Sequence, residues 1–149
     1  MKAIRTWIVV ADGAGARLFL NTGPGKGLRE LPEGRMQTAL ETTRSQGSDR
    51  PGRVHDRMGE GRHGMEPRAD WHEQQKRQFA RDLARRLDRA AGEKAFDRLI
   101  LVAPPRFLGA LRSALGAAAK RQVTGELSKD LVRASEKQIL EHLGAIAAF

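Results

Sequence analysis

The chain has 149 residues, with 27 Lys and Arg against 18 Asp and Glu, and a formal net charge of +9. This length fits one domain with a substantial core, and the lack of cysteine excludes disulfides and thiolate chemistry. The sequence has neither a membrane-length apolar run nor a signal-peptide pattern, so we expect a cytoplasmic protein without membrane contact. The excess positive charge favours an anionic partner such as RNA, DNA or a ribosome, although a solvated basic surface would give the same balance.

Large apolar side chains are distributed unevenly along the chain. Among the Leu, Ile, Val and Phe residues, only Leu40 and Val54 lie within residues 34–67. That segment contains six Gly and six Arg instead. We therefore predict a single domain over residues 1–149 that is interrupted by a Gly/Arg-rich insert at 34–67.

Three strands are predicted before the insert. Residues 5–11 are rich in β-branched and aromatic side chains, which is typical of a buried strand. After the turn residues 12–15, a second strand follows at 16–21, and a weaker third strand lies at 28–33. Their close spacing predicts an antiparallel meander.

The pattern becomes helical after the insert. Asp70 and Glu73 form a capping-box pattern at the predicted start of a helix. Apolar residues at helical spacing over 79–91 predict its buried stripe, and Gly92 is a candidate for the residue just past its end. Residues 97–103 then carry a continuous apolar run, which predicts a central parallel strand covered on both faces.

Helix and strand alternate in the last third of the chain. Pro105 is suited to open a helix, whose predicted buried stripe continues to Ala118. A short strand is predicted at 122–127. Ser135 and Gln138 form a second capping-box pattern, which predicts the start of the last helix.

The predicted element order is β-β-β-α-β-α-β-α, which places the chain in the α/β class. Helical crossovers between parallel strands are almost always right-handed. The simplest arrangement is therefore a mixed five-stranded sheet of order 3-2-1-4-5 with helices on its faces. In this ribonuclease-H-like arrangement, residues 99–102 are central and run parallel to residues 8–10.

Two acidic patterns are compatible with metal chemistry, but each has a simpler explanation. Asp12 follows the first strand, where ribonuclease-H-type nucleases place a metal-binding Asp. The fourth strand is followed by Pro104, not by the further carboxylate that a two-metal site needs, so a role for Asp12 in its own turn is simpler. A second group has gaps too wide for a zinc site and fits a solvated polar loop: His55, Asp56, His63, Glu66, Asp70 and His72.

The remaining motif search predicts no cofactor and no catalytic residue. The Gly-rich segments at 13–15 and 23–25 follow strands but open no helix, so they do not match phosphate-binding fingerprints. We therefore expect no metal, no cofactor and no nuclease activity.

The candidate nucleic-acid-binding residues are arginines, because guanidinium groups suit bidentate phosphate contact. They lie in the insert and on one face of the following helix: Arg50, Arg53, Arg57, Arg62, Arg77, Arg81 and Arg85. The insert itself lacks aromatic side chains for base stacking, unless Trp71 at its exit serves. We expect residues from about 44 to 66 to be mobile and to contact a polyanion, with a passive insert as the alternative.

Several sequence blocks, in this order, resemble the bacterial host attachment protein family, also called proteins required for attachment to host cells. The resemblance spans nearly the whole chain. Its blocks are residues 7–12 with 16–19, 48–53, 62–66, 101–109 and 129–131.

That family is similar in turn to the central domain of archaeal and eukaryotic peptide-chain release factors. The resemblance implies a ribonuclease-H-like fold with a basic loop between the third strand and the first helix. In the release factors this loop carries the Gly-Gly-Gln that enters the peptidyl-transferase centre. The insert here lacks Gly-Gly-Gln, and Gln46 with Gly47 is among the nearest approaches to it.

The leading hypothesis is therefore a non-enzymatic RNA- or ribosome-associated domain of the translation machinery. One alternative is a protein–protein interaction module that affects cell attachment indirectly from the cytoplasm. Another is a weak hydrolase that acts on peptidyl-tRNA or RNA.

Overall fold

A computed structural model describes residues 3–38 and 60–149 of the chain, with the backbone alone for residues 60–68. One mixed sheet contains six strands: β1 (Thr6–Ala11), β2 (Gly15–Asn21), β3 (Arg29–Glu30), β4 (Met36–Gln37), β5 (Arg98–Ala103) and β6 (Val123–Ser128). The α-helices are α1 (Glu60–Gly92), α2 (Pro105–Ala114), α3 (Ala117–Gln122) and α4 (Glu136–Leu143). A short 3-10 helix at Pro32–Gly34 precedes β4.

The strand order is β3-β2-β1-β5-β6, and β4 pairs with β2 as well. β1 is antiparallel to β2 and parallel to β5, with Ile8 opposite Ile100 and Val10 opposite Val102. The mixed sheet and the central position of residues 99–102, parallel to residues 8–10, are thus confirmed. The order differs in detail from the predicted 3-2-1-4-5, because the two-residue strand β4 adds a sixth strand.

The two central strands are buried on both faces of the sheet. Val9 and Leu101 point to the side covered by α1, α2 and α3. Ile8 and Val102 point to the other side, where they pack with Ile139 of α4. This alternation explains why β1 and β5 are apolar throughout instead of at every second residue.

The start of α1 differs from the sequence prediction. The helix begins at Glu60, so Asp70 and Glu73 lie inside it and the predicted capping box there is wrong. The extra turns at the start of α1 contain two glycines and Pro67. Because these residue types are unfavourable inside a helix, the sequence pattern predicted a later start for it. Residues 60–67 of the predicted insert are therefore helical, whereas residues 39–59 lie outside the described residues.

The helix predicted between Pro105 and Ala118 is instead two helices, separated at Leu115 and Gly116. The Gly116 amide N–H donates to the two carboxylate oxygens of Asp88 on α1, at 2.9 and 3.1 Å. Asp88 therefore caps the start of α3 from a neighbouring helix. Because α3 begins a new helical register, its buried residue is Ala119 instead of the predicted Ala118.

The last strand and the last helix follow their predictions closely. β6 pairs with β5 in parallel, with an irregularity that places Gly125 opposite Ile100. A Cβ atom at Gly125 would lie 3.0 Å from side-chain atoms of both Ile100 and Ile146, so the glycine permits this close packing. The predicted capping box of Ser135 and Gln138 is confirmed at the start of α4.

Among the described helices, none combines the length and apolar character needed to cross a bilayer.

A buried ion pair connects the sheet to the segment before α4. Arg17 on β2 bonds the Glu30 carboxylate through Nη2 at 3.0 Å, and its Nη1 donates to the carbonyl oxygens of Val132 and Ala134. The hydrogen bond from Arg17 is the main cause that lowers the pKa of Glu30, and Arg35 adds to it against the opposing effect of burial. Both side chains of the Arg17–Glu30 pair are less than one-fifth exposed.

The ion pair predicts how stability changes with pH. Because the folded state lowers the pKa of Glu30 below its ordinary value of 4.5, the charged Glu30 stabilises the fold above that pH. This contribution is lost as the pH falls through the lowered pKa. At pH 7 we expect Glu30→Gln to cost roughly 1–3 kcal/mol in urea unfolding, with the difference from wild type shrinking below pH 4. A difference that stays constant over this range would contradict the prediction.

The end of α1 gives a second prediction. Gly92 is the last helical residue, and the left-handed residue that follows is Lys94, with φ of 58°, so the role predicted for Gly92 is wrong. Bonds from the Lys94 and Ala95 amides to Ala91 and Ala90 complete the C-terminal motif. Since a side chain disfavours this conformation, we expect Lys94→Gly to raise the free energy of unfolding by about 0.5–1 kcal/mol.

The neighbouring variant Glu93→Gly serves as the control, because Glu93 lacks a positive φ. It should lower stability in the same urea titration. If both glycine variants shift the midpoint in the same direction, the strain at Lys94 is not the cause.

Candidate functional site

The carboxyl ends of β1, β5 and β6 lie at one edge of the sheet, because these three strands are parallel. The residues that follow them are Asp12, Pro104 and Lys129, respectively. In open α/β sheets, ligands bind in the crevice outside the carboxyl ends of the strands. The topology therefore favours a ligand site at this edge of the sheet.

A cleft of about 650 Å³ opens at this edge. The turn after β1 forms one part of its wall, and α1, α2 and the segment after β6 form the rest. Apolar atoms come from Pro104, Phe107 and Ala110, and the cleft also carries titratable side chains: His72, Glu73, Lys76, Arg77, Arg106 and Asp130. The volume lies within the range of small-molecule sites.

The Asp12 side chain, which lines this cleft, forms hydrogen bonds within the turn after β1. Its Oδ1 atom accepts hydrogen bonds from the backbone amides of Ala14 and Gly15, both at 2.9 Å. The prediction that Asp12 stabilises its own turn is therefore confirmed. The next residue, Gly13, allows α1 to approach closely, because a Cβ atom there would lie 2.6 Å from Cγ of Lys76.

Glu73 lies between two cations in the cleft. Its Oε2 atom is 3.8 Å from Nζ of Lys76 and 4.0 Å from Nη1 of Arg106. The Glu73 side chain is 40% exposed, so this is a surface ion-pair network with long contacts. Sequence reasoning assigned Glu73 to a helix cap, whereas α1 carries it into the cleft.

The predicted arginines of the helix lie together on the exposed face of α1. Arg77, Arg81 and Arg85 are exposed and succeed one another at four-residue spacing, about 6 Å along the helix axis. Arg81 donates to the side-chain oxygen of Gln78 at 2.8 Å, and Arg85 pairs with Asp82. We refer to Arg77, Arg81 and Arg85 as the basic face.

The other predicted arginines fall outside this description. Arg50, Arg53 and Arg57 lie in the part of the chain that the structure does not describe. Arg62 belongs to α1, but only its backbone is described. The structure therefore brings together three of the seven candidate arginines.

Trp71 stands on α1 before the basic face and is 42% exposed. Its ring centroid lies 5.2 Å from that of His72, which lines the cleft. A large aromatic side chain that remains this exposed has no role in the core. Trp71 therefore adds an exposed aromatic ring beside His72 of the cleft, on the same helix as the basic face.

Within the described residues, no group of three or more His, Asp or Glu side chains is placed to hold a metal ion. Asp12, Glu73 and Asp130 line the same cleft without forming such a group. The sequence group of histidines and acids between residues 55 and 72 is only partly described. His72 lines the cleft, whereas His55 lies outside the described residues.

Sequence reasoning missed Lys76, Arg106 and Asp130 as site residues. They come from separate elements and meet only when the sheet and helices assemble. The available signal was topological, because Arg106 and Asp130 follow two strands that were expected to be parallel neighbours. Lys76 has no local signal, since it reads as one more charged residue of an amphipathic helix.

Comparison with known proteins identifies the family. Among curated proteins, no sequence matches this chain. A family model described as "Protein required for attachment to host cells" matches residues 7–143, from β1 to the end of α4. This range includes the sheet, the cleft and the basic face, so the chain belongs to the family of proteins required for attachment to host cells.

Proposed function

We propose that this protein binds single-stranded RNA through the basic face of α1 and Trp71, and that it does so without catalysing a reaction. The observation that carries the proposal is the exposure of three guanidinium groups on successive turns of α1, with an exposed indole earlier on the same helix. Proteins that bind single strands combine these two features, since cations follow the backbone and aromatic rings stack on bases.

The electrostatics of the basic face support this proposal. Arg81 is held by the neutral side chain of Gln78, so its charge stays uncompensated by that contact. Arg85 forms an exposed ion pair with Asp82. A phosphate group can take the place of Asp82 in this pair at a small cost in free energy. The net charge of +9 adds a long-range attraction for polyanions.

The proposal extends to the wider resemblance stated above. A ribonuclease-H-like relationship to release-factor central domains is supported by the order of the longer strands and by the insert between β4 and α1. The role would then be on RNA or the ribosome in the cytoplasm, with Arg50, Arg53, Arg57 and Arg62 as further contacts. Because the chain lacks Gly-Gly-Gln, hydrolysis by the release-factor route is not part of the proposal.

The first test compares two variants with the same loss of charge. One is Arg77→Ala, Arg81→Ala and Arg85→Ala. The control is Lys120→Ala, Arg121→Ala and Lys137→Ala, which removes exposed cations of α3 and α4. Affinity for a fluorescent single-stranded RNA is measured by anisotropy at several salt concentrations.

We expect the basic-face variant to bind more weakly and to lower the log–log salt slope by roughly 0.7 for each lost phosphate contact. The control should stay close to wild type. Equal affinity and slope for both variants would contradict the proposal and favour the protein-interaction module. The insert variant, with Arg50, Arg53, Arg57 and Arg62 changed to Ala, is tested in the same titration for a further loss of slope.

Trp71 gives a test with a different signature. Trp71→Ala removes stacking but no charge, so it should weaken RNA binding by about 1–3 kcal/mol and leave the salt slope unchanged. Trp71→Phe should recover part of the affinity. Unchanged affinity in Trp71→Ala would show that the indole does not contact the RNA.

A further inference from the structure

The cleft between α1 and α2 offers a second anion site, which meets the basic face at Arg77. Lys76 and Arg106 project from different helices, and both lie within 4.0 Å of the same carboxylate oxygen of Glu73. Two cations that share one oxygen in this way are close enough to share one oxygen-rich anion. The structure assigns to this cleft the binding of a phosphate monoester carried by a molecule of nucleotide size.

The contacts of Glu73 leave both cations available. At 3.8 and 4.0 Å they are much longer than the 2.7–2.9 Å of a charge-assisted hydrogen bond. The Lys76 side chain is 49% exposed and that of Arg106 is 89% exposed, so both can reorient toward a ligand. A phosphate monoester has three terminal oxygens and can accept from both side chains at full hydrogen-bond strength.

Three carboxylates line the cleft, and they do not prevent this assignment. One of them, Asp130, forms no ion pair with Lys76 or Arg106 among the contacts of the described residues. Asp12 is occupied by the amides of Ala14 and Gly15, and its side chain is buried in the turn. Glu73 is the acid that stands between the two cations, so it occupies part of the position that the phosphate would take. Glu73 therefore acts as an internal competitor, and its removal should strengthen phosphate binding.

The α2 side of the cleft provides an apolar surface for the organic part of such a ligand. Phe107 stacks on Phe79, with ring centroids 5.7 Å apart, and lines the cleft with Pro104 and Ala110. Pro104 precedes α2 and has no side-chain oxygen to cap the helix. Since Pro105 has no N–H, the amides of Arg106 and Phe107 are the first that add partial positive charge there. An apolar wall beside a cationic end suits an organic phosphate better than inorganic phosphate alone.

Close packing against Gly13 positions the aliphatic stem of Lys76, while its ammonium group can still turn toward a ligand. Its stem crosses Gly13 at a distance that leaves no room for a Cβ atom, so the turn after β1 holds the lysine against the cleft. This contact links the cation to the end of a central strand.

The test uses the full chain with AMP as the probe, titrated by calorimetry and by amide chemical shifts. Adenosine and inorganic phosphate are the comparison ligands. The variants are Lys76→Met, Arg106→Gln and Glu73→Gln, and Lys120→Met on α3 is the control. Melting temperatures verify that each variant folds, and Arg77 stays unchanged because it also belongs to the basic face.

We expect saturable AMP binding that shifts the amides of Gly13 and Phe107, with no binding of adenosine. Lys76→Met and Arg106→Gln should each weaken AMP binding about tenfold or more, whereas Glu73→Gln should tighten it several-fold. The control should match wild type. Absence of binding by every phosphate probe, or unchanged AMP affinity in both cation variants, overturns the assignment, as does weaker binding by Glu73→Gln.

A final comparison separates two sources of the phosphate. A short RNA with a 5′-phosphate is compared with the same RNA carrying a 5′-hydroxyl. A preference for the phosphorylated end that disappears in Lys76→Met, without AMP binding, assigns the cleft to an RNA terminus. AMP binding without this preference assigns it to a free small molecule. Because Arg77 also lines the cleft, the double variant Arg81→Ala and Arg85→Ala separates this result from the RNA proposal.

Discussion

The parallel pairing of β1 with β5 is the constraint on which the rest of the structure depends. Both strands bury their two faces, so the chain must supply helices on both sides of the sheet. Parallel strands also require a long crossover, which α1 provides. The same pairing aligns the ends of β1 and β5 at one edge, and this alignment creates the cleft between α1 and α2.

The elements that the sequence predicted well are those with strong local signals. Continuous apolar runs marked β1 and β5, and the capping box of Ser135 and Gln138 marked α4. Other features depend on partners distant in sequence. Asp88 divides the helix after β5 by bonding Gly116, and no local pattern shows that contact.

The same distinction applies to the candidate site. Four-residue spacing along one helix was sufficient to predict that Arg77, Arg81 and Arg85 share a face. The cleft could not be predicted from helical spacing, because Lys76 and Arg106 come from different helices. A charged residue on an amphipathic helix gives the same sequence pattern whether it faces open solvent or a cleft, so only the assembled fold separates the two.

The cap on α3 has a consequence for the order in which the protein gains structure. A helix of six residues is not stable in isolation, and α3 takes its N-terminal hydrogen bonds from Asp88 on α1. We therefore expect α3 to form only when α1 is packed against the sheet. Since α3 leads directly into β6, we expect the amide protons of this edge strand to lose protection from exchange when the C-terminal half of α1 detaches.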